Sequence, residues 1–394
     1  MRRPRPIVAA SQPVIGGLRV LGGGDPAFQA ILARVGAAKR SVEIRAFLWR
    51  DDEAGNLLGT AVLAAAERGV EITIYKDRIA AVYEYAGGNR QSFFHKRVDP
   101  IRGLQARLLR AVHRAEGTIY GVPGSSRQRP NPLSDAILAH PNITVEHAGK
   151  RFDHSKIYIV DDRYLAVGSM GVGDNHCHDW IDVMVEVEGR EHVARLRDRM
   201  AGNDEFDPSR GLDFLVHSRE THRNHGCPMI RHRLALIDAA RQSLTVEMAY
   251  LGEPRFTAAL ARAVQRGVDV RLITADESDV LGATNYATCE MLRRLTGAPA
   301  NLRIVLLRRM VHSKVVVIDH RLVDVGSANF TALSHGVYNE INLYADCAPF
   351  ALALEAEIDR HCEAGRLVEQ SLRWRRMYSG FERAIMAYQA RSAG

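Results

Sequence analysis

The 394-residue chain is long enough for about two to three domains, and its 46% hydrophobic and 25% charged residues are the balance of a globular protein. That composition excludes collagen, coiled coil and wholesale disorder, and no window approaches the roughly 18–20 uninterrupted apolar residues of a transmembrane helix. Lys and Arg outnumber Asp and Glu by 53 to 46, for a net charge of +7 and a pI near 9.3; this suits nucleic acid, an anionic membrane or a phosphorylated substrate, and equally suits plain solubility.

The start, MRRPRPIVAASQP, is basic but lacks the apolar run of a secretory signal. From Ala30 to Asp77 the chain reads helix, strand, helix, strand: AILARVGAAKR has apolar residues at helical spacing (Ile31, Leu32, Val35), and VEIRAFLW and VEITIYK are short and rich in β-branched residues. After Pro100 a long connection places Ile101, Leu104, Leu108 and Val112 on one helical face with Arg102, Arg107, Arg110 and Arg114 around it. Such a basic amphipathic segment suits an anionic interface, or packing on the core. From Arg233 to Asp276 the first unit returns as RLALIDAARQSLTVEMAYL and AVQRGVDVRLITAD. Helices alternating with strands, twice over, predict an α/β fold. Near the C-terminus Trp374, Met377, Tyr378, Phe381 and Ile385 form a second stripe, read first as core or subunit packing and second as a membrane contact. The five cysteines (Cys177, Cys227, Cys289, Cys347, Cys362) are scattered without C-x-x-C spacing, which predicts neither disulfides nor structural zinc and favours a reducing cytosol.

The duplication is sharpest in its second part. His154-Ser-Lys156-Ile-Tyr-Ile-Val-Asp161 recurs 158 residues later as His312-Ser-Lys314-Val-Val-Val-Ile-Asp319, Gly168-Ser169 recurs as Gly326-Ser327, and Asp182 aligns with Glu340. The polar, turn-rich stretch from Gly202 to Gly211 marks the boundary, giving an N-terminal half over 1–207 and a C-terminal half over 208–394. In a strand, residues i and i+2 share a face, so each histidine stands beside a lysine. A neutral imidazole near a fixed ammonium can act as a nucleophile on an anionic group. The carboxylate 28 residues after each histidine is the expected acceptor for its other ring N–H. Ser169, Ser327 and Asn329 are expected phosphate or oxyanion contacts. Asp161 and Asp319 read as structural caps of the turn after each strand. A lone His-x-Lys is common at solvated strand ends; two complete sets in register favour catalysis. His176-Cys177-His178-Asp179 reads as a loop flanking the site and not as a metal centre, because adjacent ligands converge poorly on one ion.

H-x-K-x4-D-x6-G-S, present twice, resembles the phospholipase D superfamily. The second copy is the fuller match, with His312, Lys314, Asp319, Gly326, Ser327 and Asn329; the first departs from it in carrying Gly171 where Asn329 has its counterpart. Gly168 to Asn175 with Trp180-Ile-Asp182, and Gly326 to Phe330 with Asn339-Glu340, are similar to bacterial cardiolipin synthases. Many of those carry two N-terminal membrane helices; this chain is expected to resemble shorter, peripheral forms. The resemblance implies two α/β/α sandwich halves related by a pseudo-twofold axis, with one active site at their interface. It implies no cofactor and no metal: one histidine forms a phosphohistidine, the other protonates the leaving alcohol, and the lysines stabilise the phosphoryl charge. The family's habit makes His154 the nucleophile and His312 the acid, while the sequence symmetry leaves both assignments open.

Three functions follow as expectations. The first is a cytoplasmic phosphatidyltransferase, peripheral to the inner face of the membrane, acting on a phosphatidylglycerol-like phospholipid and an alcohol acceptor. The second is a phospholipase D-type hydrolase or nuclease. The third is an inactive phospholipid- or nucleic-acid-binding module, against which both complete His-Lys sets argue. Nucleic acid is the less favoured partner, since no DNA- or RNA-binding motif and no aromatic interleaving are present.

Overall fold

The computed structural model describes residues 16–77, 80, 83–84, 92–95, 130–148, 153–218, 221, 226, 228–372, 380, 382 and 384. The basic connection after Pro100 and the stripe residues Trp374, Met377, Tyr378, Phe381 and Ile385 lie outside the described residues.

Two mixed sheets are built on one plan. The first contains β1 (Leu18–Gly22), β2 (Ser41–Ala46), β3 (Glu71–Asp77), β4 (Ile143–Ala148), β5 (Lys156–Val160), β6 (Tyr164–Gly168) and β7 (Met184–Glu188), in the order β1-β7-β6-β5-β2-β3-β4. The second contains β8 (Leu212–His217), β9 (Ser243–Met248), β10 (Asp269–Ala275), β11 (Leu302–Leu307), β12 (Lys314–Ile318), β13 (Leu322–Gly326), β14 (Glu340–Asp346) and β15 (Arg366–Leu367). Reading β8-β14-β13-β12-β9-β10-β11 repeats the first order strand for strand, with β15 added at the far edge. In each sheet three strands run parallel and the motif strands pair antiparallel beside them.

Helices α1 (Gly24–Ala37), α2 (Glu53–Glu67) and α3 (Pro132–Ala139) belong to the first half. So does α4 (Arg190–Ala201), whereas α5 (Pro228–Ala239), α6 (Pro254–Gln265), α7 (Gly282–Thr296), α8 (Ala332–Gly336) and α9 (Ala348–Cys362) belong to the second. The Asp52 carboxylate caps α2 by accepting from the Gly55 N–H at 3.0 Å.

Strands β5 and β12, KIYIV and KVVVI, are buried at every position, as apolar runs covered on both faces must be. Ile157 and Ile159 join Val315 and Val317 in one core shared by the two sheets. Tyr158 and Val160 turn the other way, against Phe28, Ile31, Val35, Leu58 and Val62 of α1 and α2. Val316 and Ile318 likewise meet α5, α6 and α7. Helices α4 and α9 add Val193, Leu196, Phe350, Leu354 and Ile358 to the shared core. The halves are therefore fused by a common apolar layer, and the motif strands lie against it.

The strand expected to reach Trp49 ends at Ala46. Beyond it Leu48 and Arg50 pair with Val172 instead, through Val172 N–H to Leu48 O at 3.1 Å and Arg50 N–H to Val172 O at 3.0 Å. Among the described residues Cys177, Cys289, Cys347 and Cys362 are free thiols, and no helix is long and apolar enough to cross a membrane.

Candidate active site

Each motif histidine lies two residues before a central strand, β5 or β12, while Glu340 opens β14 and Asp182 lies two residues before β7. Short parallel bridges, Asp153 with Asn339 and Ile181 with Val311, join the halves at these points. The His154 N–H donates to Asn339 O at 2.9 Å, and the His312 N–H to Ile181 O at 2.7 Å. These bridges bring each motif histidine beside the carboxylate of the opposite half.

The side chains are accordingly crossed. His154 Nδ1 lies 3.1 Å from both oxygens of Glu340, and His312 Nδ1 lies 2.8 Å from Asp182 Oδ1. This corrects the pairing expected from sequence, in which each histidine used the carboxylate 28 residues further along its own copy. The reason is tertiary: the bridges at residues 153 and 339, and at 181 and 311, cross between halves. Since an ionised carboxylate only accepts, both imidazoles hold their proton on Nδ1 and leave the Nε2 lone pair free. Neither Nε2 is hydrogen-bonded or enclosed among the described residues.

Both lysines are buried, and each Nζ donates to the carbonyl of its own histidine. Burial, and then Lys314, push the Lys156 ammonium down to about 7; burial brings Lys314 to about 8. Burial also lowers His154 to about 4 against the pull of Glu340, and His312 well below the ordinary histidine range. Burial opposes the charge on Asp182, but His312 and His176 outweigh it and hold the carboxyl well below its usual range. Glu340 is lowered in the same way, its burial overcome by His154. An anionic group brought close to these bases would raise their proton affinity.

Ser169 and Ser327, expected at the phosphate, are fully buried and turn their hydroxyls to the carboxylates instead. Ser169 Oγ donates to Asp182 Oδ1 at 2.6 Å and Ser327 Oγ to Glu340 Oε2 at 2.5 Å. Each hydroxyl also accepts a backbone N–H, from Val183 or Ile341, at 3.0 Å. Asn329 Oδ1 accepts from the Tyr250 N–H at 3.3 Å. Gly168 and Gly326 allow β6 and β13 to press on the next strand: a Cβ there would lie 2.2 Å from Val183 O or Ile341 O. Asp161 and Asp319 lie away from this cluster, at φ 55° and 52°. Their carboxylates gather the N–H groups of Lys39, Arg40 and Ser41, and of Arg241, Gln242 and Ser243.

Further neighbours lie outside the repeated His-x-Lys, Gly-Ser and carboxylate positions; Trp180 and Tyr338 among them are aromatic counterparts at the offset of 158. His176, read from sequence as part of a flanking loop, is fully buried and places Nδ1 2.8 Å from Asp182 Oδ2. Trp180 packs on the His312 ring at 5.1 Å, and Phe47 and Tyr338 on His154 at 5.0 and 5.3 Å. Tyr250, whose ring lies 5.9 Å from Lys314 Nζ, donates its hydroxyl to Asp279 at 2.6 Å. Burial pushes Asp279 up to about 6. Of the described residues, His176, Asp182 and His312 are the set able to hold a metal, with nitrogen and oxygen atoms within 4.8 Å of one another; here they hydrogen-bond to one another, each histidine Nδ1 lying 2.8 Å from an Asp182 oxygen.

A family model described as "Cardiolipin synthase, PLD-like domain" matches residues 234–362. With the duplicated fold and the paired motifs, this match makes the chain phospholipase D-like and an enzyme of that kind. Its sequence is similar to Cardiolipin synthase B of Escherichia coli strain K12, at 22% identity over 94% of this chain and 86% of that protein. It is also similar to Cardiolipin synthase A of Pseudomonas syringae pv. syringae strain B728a, at 25% identity over 92% and 74%. In fold it matches the phosphatidylserine synthase of Haemophilus influenzae Rd KW20, with a TM-score of 0.64 at 13% identity, covering 97% and 94% of the two chains. By these matches the chain is cardiolipin-synthase-like.

Proposed function

We propose that this protein is a phosphatidyltransferase of the cardiolipin-synthase type, working at a membrane surface on phosphatidylglycerol-like lipids through a phosphohistidine. The observation that carries this reading is the pair of buried histidines, each braced at Nδ1 by the other half's carboxylate with Nε2 left open. The Nε2 lone pair of one histidine attacks phosphorus, and the bond from phosphorus to the leaving alcohol oxygen breaks. The other histidine, which takes a proton from solvent at Nε2 once the bound anion raises its proton affinity, gives that proton to the leaving oxygen. An acceptor hydroxyl then returns a proton to the second histidine, attacks phosphorus and displaces the first. Lys156 and Lys314 stabilise the phosphoryl oxygens, and Asp182 and Glu340 fix tautomer and orientation.

The test is a product assay on phosphatidylglycerol vesicles, with lipids read by mass spectrometry. Cardiolipin and free glycerol, both lost in His154→Ala and His312→Ala, are the expected result. Phosphatidic acid alone would make the enzyme a hydrolase. Cleavage of oligonucleotides without lipid turnover would make it a nuclease.

A further inference from the structure

The offset of 158 that aligns the motifs sets Gly171 against Asn329 and His176 against Ser334. Both departures fall at one place in the structure. A Cβ on Gly171 would lie 2.7 Å from His176 Nε2 and 3.1 Å from its Cδ2. The imidazole therefore occupies the space that an asparagine at 171 would claim. In the second half the space is divided the other way: Asn329 keeps its side chain, and Ser334 contributes only a hydroxyl that accepts the Asn329 N–H at 3.1 Å.

We infer that His176 is a third imidazole of the active site, a positioning residue that fills the place of the missing asparagine and anchors Asp182 for His312. The inference rests on the reading of His312 and Asp182 given above, and deepens it. Asp182 is gripped on both oxygens, Oδ2 by His176 at 2.8 Å and Oδ1 by His312 at 2.8 Å and Ser169 at 2.6 Å. His176 is itself wedged between Trp180, at 4.6 Å and 74°, and His312, at 4.9 Å and 70°. It sits in a single π-turn, Asn175–Asp179, a local widening that recurs at functional sites. Its Nε2 is enclosed and makes no hydrogen bond among the described residues, so it acts through the carboxylate and not on a substrate. Glu340 is held by a histidine and a serine alone among the described residues, so the two catalytic pairs differ in how firmly their carboxylates are fixed.

Three measurements test this. His176→Phe keeps a packed ring but removes the donor; it should lower kcat by about 10- to 100-fold with KM changed less than about twofold. His176→Asn, whose amide nitrogen reaches the position of Nδ1, should recover most of the loss. Gly171→Asn should lower both the melting temperature and kcat, and adding His176→Ala should restore the former. In proton NMR of the whole protein, the downfield imidazole N–H resonance lost in His312→Ala should shift in His176→Phe. An unchanged kcat in His176→Phe, equal losses in the Phe and Asn variants, strictly additive effects of the two substitutions, or an unmoved His312 resonance would each overturn the inference. If the wild type transfers no lipid, the functional reading fails, while the resonance and the stability cycle still judge His176.

Discussion

His154 and His312 sit in surroundings that work against their charge. Burial lowers both, and the nearby lysines add to it, while Glu340 and Asp182 pull the other way without winning. Replacing either histidine by Ala should therefore cost turnover by at least about 10³-fold, as loss of a nucleophile or its acid does. The melting temperature should stay within about 4 °C of wild type, checked by calorimetry beside the vesicle assay. The lysines offer a sharper separation of stability from activity. Each is a buried cation with no carboxylate in ion-pair range among the described residues, and such a group destabilises the fold. Lys156→Met or Lys314→Met should raise the melting temperature by roughly 2–4 °C while abolishing transfer. A fall in melting temperature would show that the ammonium supports the fold.

At the level of elements, the turns after β5 and β12 tie the motif strands to the loops that precede β2 and β9. Asp161 and Asp319 hold left-handed backbone at φ 55° and 52°, which aspartate and asparagine tolerate better than other residues. Each carboxylate satisfies three successive N–H groups between helix and strand. Asp161→Ala and Asp319→Ala should each lose about 1–3 kcal/mol by urea unfolding, with kcat per folded molecule unchanged. A specific loss of kcat would place these residues in the chemistry. Much of this was legible from sequence, since β-branched runs, helical spacing and the repeat offset mark the elements. The ends were less so: β2 stops at Ala46 because Leu48 and Arg50 hydrogen-bond to Val172, a partner 122 residues beyond Arg50.

For the whole molecule, the sequence shows two copies of one motif but not how they exchange partners. Asp182 lies 28 residues from His154 and 130 from His312, so the nearer histidine is the natural guess. The inter-half bridges, Asp153 with Asn339 and Ile181 with Val311, reveal the swap. Asymmetric residues were hidden for a related reason: His176, Tyr250 and Asp279 have no matching residue type in the other half, so the repeat gave no signal. The buried charges also set how the fold responds to pH. His154, Lys156 and Lys314 are lowered to about 4, 7 and 8. The unfolded chain therefore takes up protons that the native state refuses, across windows from about 6.5 to 4 for the histidine and from about 10.4 down to 7 or 8 for the lysines. Each contribution is present at high pH and lost on acidification, and the lowered carboxyls of Asp182 and Glu340 add the same sign below their ordinary range. The melting temperature should rise from pH 5 to pH 9, and the double variant Lys156→Met, Lys314→Met should flatten the part above pH 7. A wild-type maximum near pH 5 would contradict these shifts. The most direct test of the account is to trap the intermediate by mixing enzyme with labelled phosphatidylglycerol, quenching in base and mapping the adduct by mass spectrometry. A phosphatidyl group on His154 or His312, absent when that histidine is Ala, is the expected result. Undiminished cardiolipin formation with the adduct on another residue, or with neither histidine needed, would contradict it.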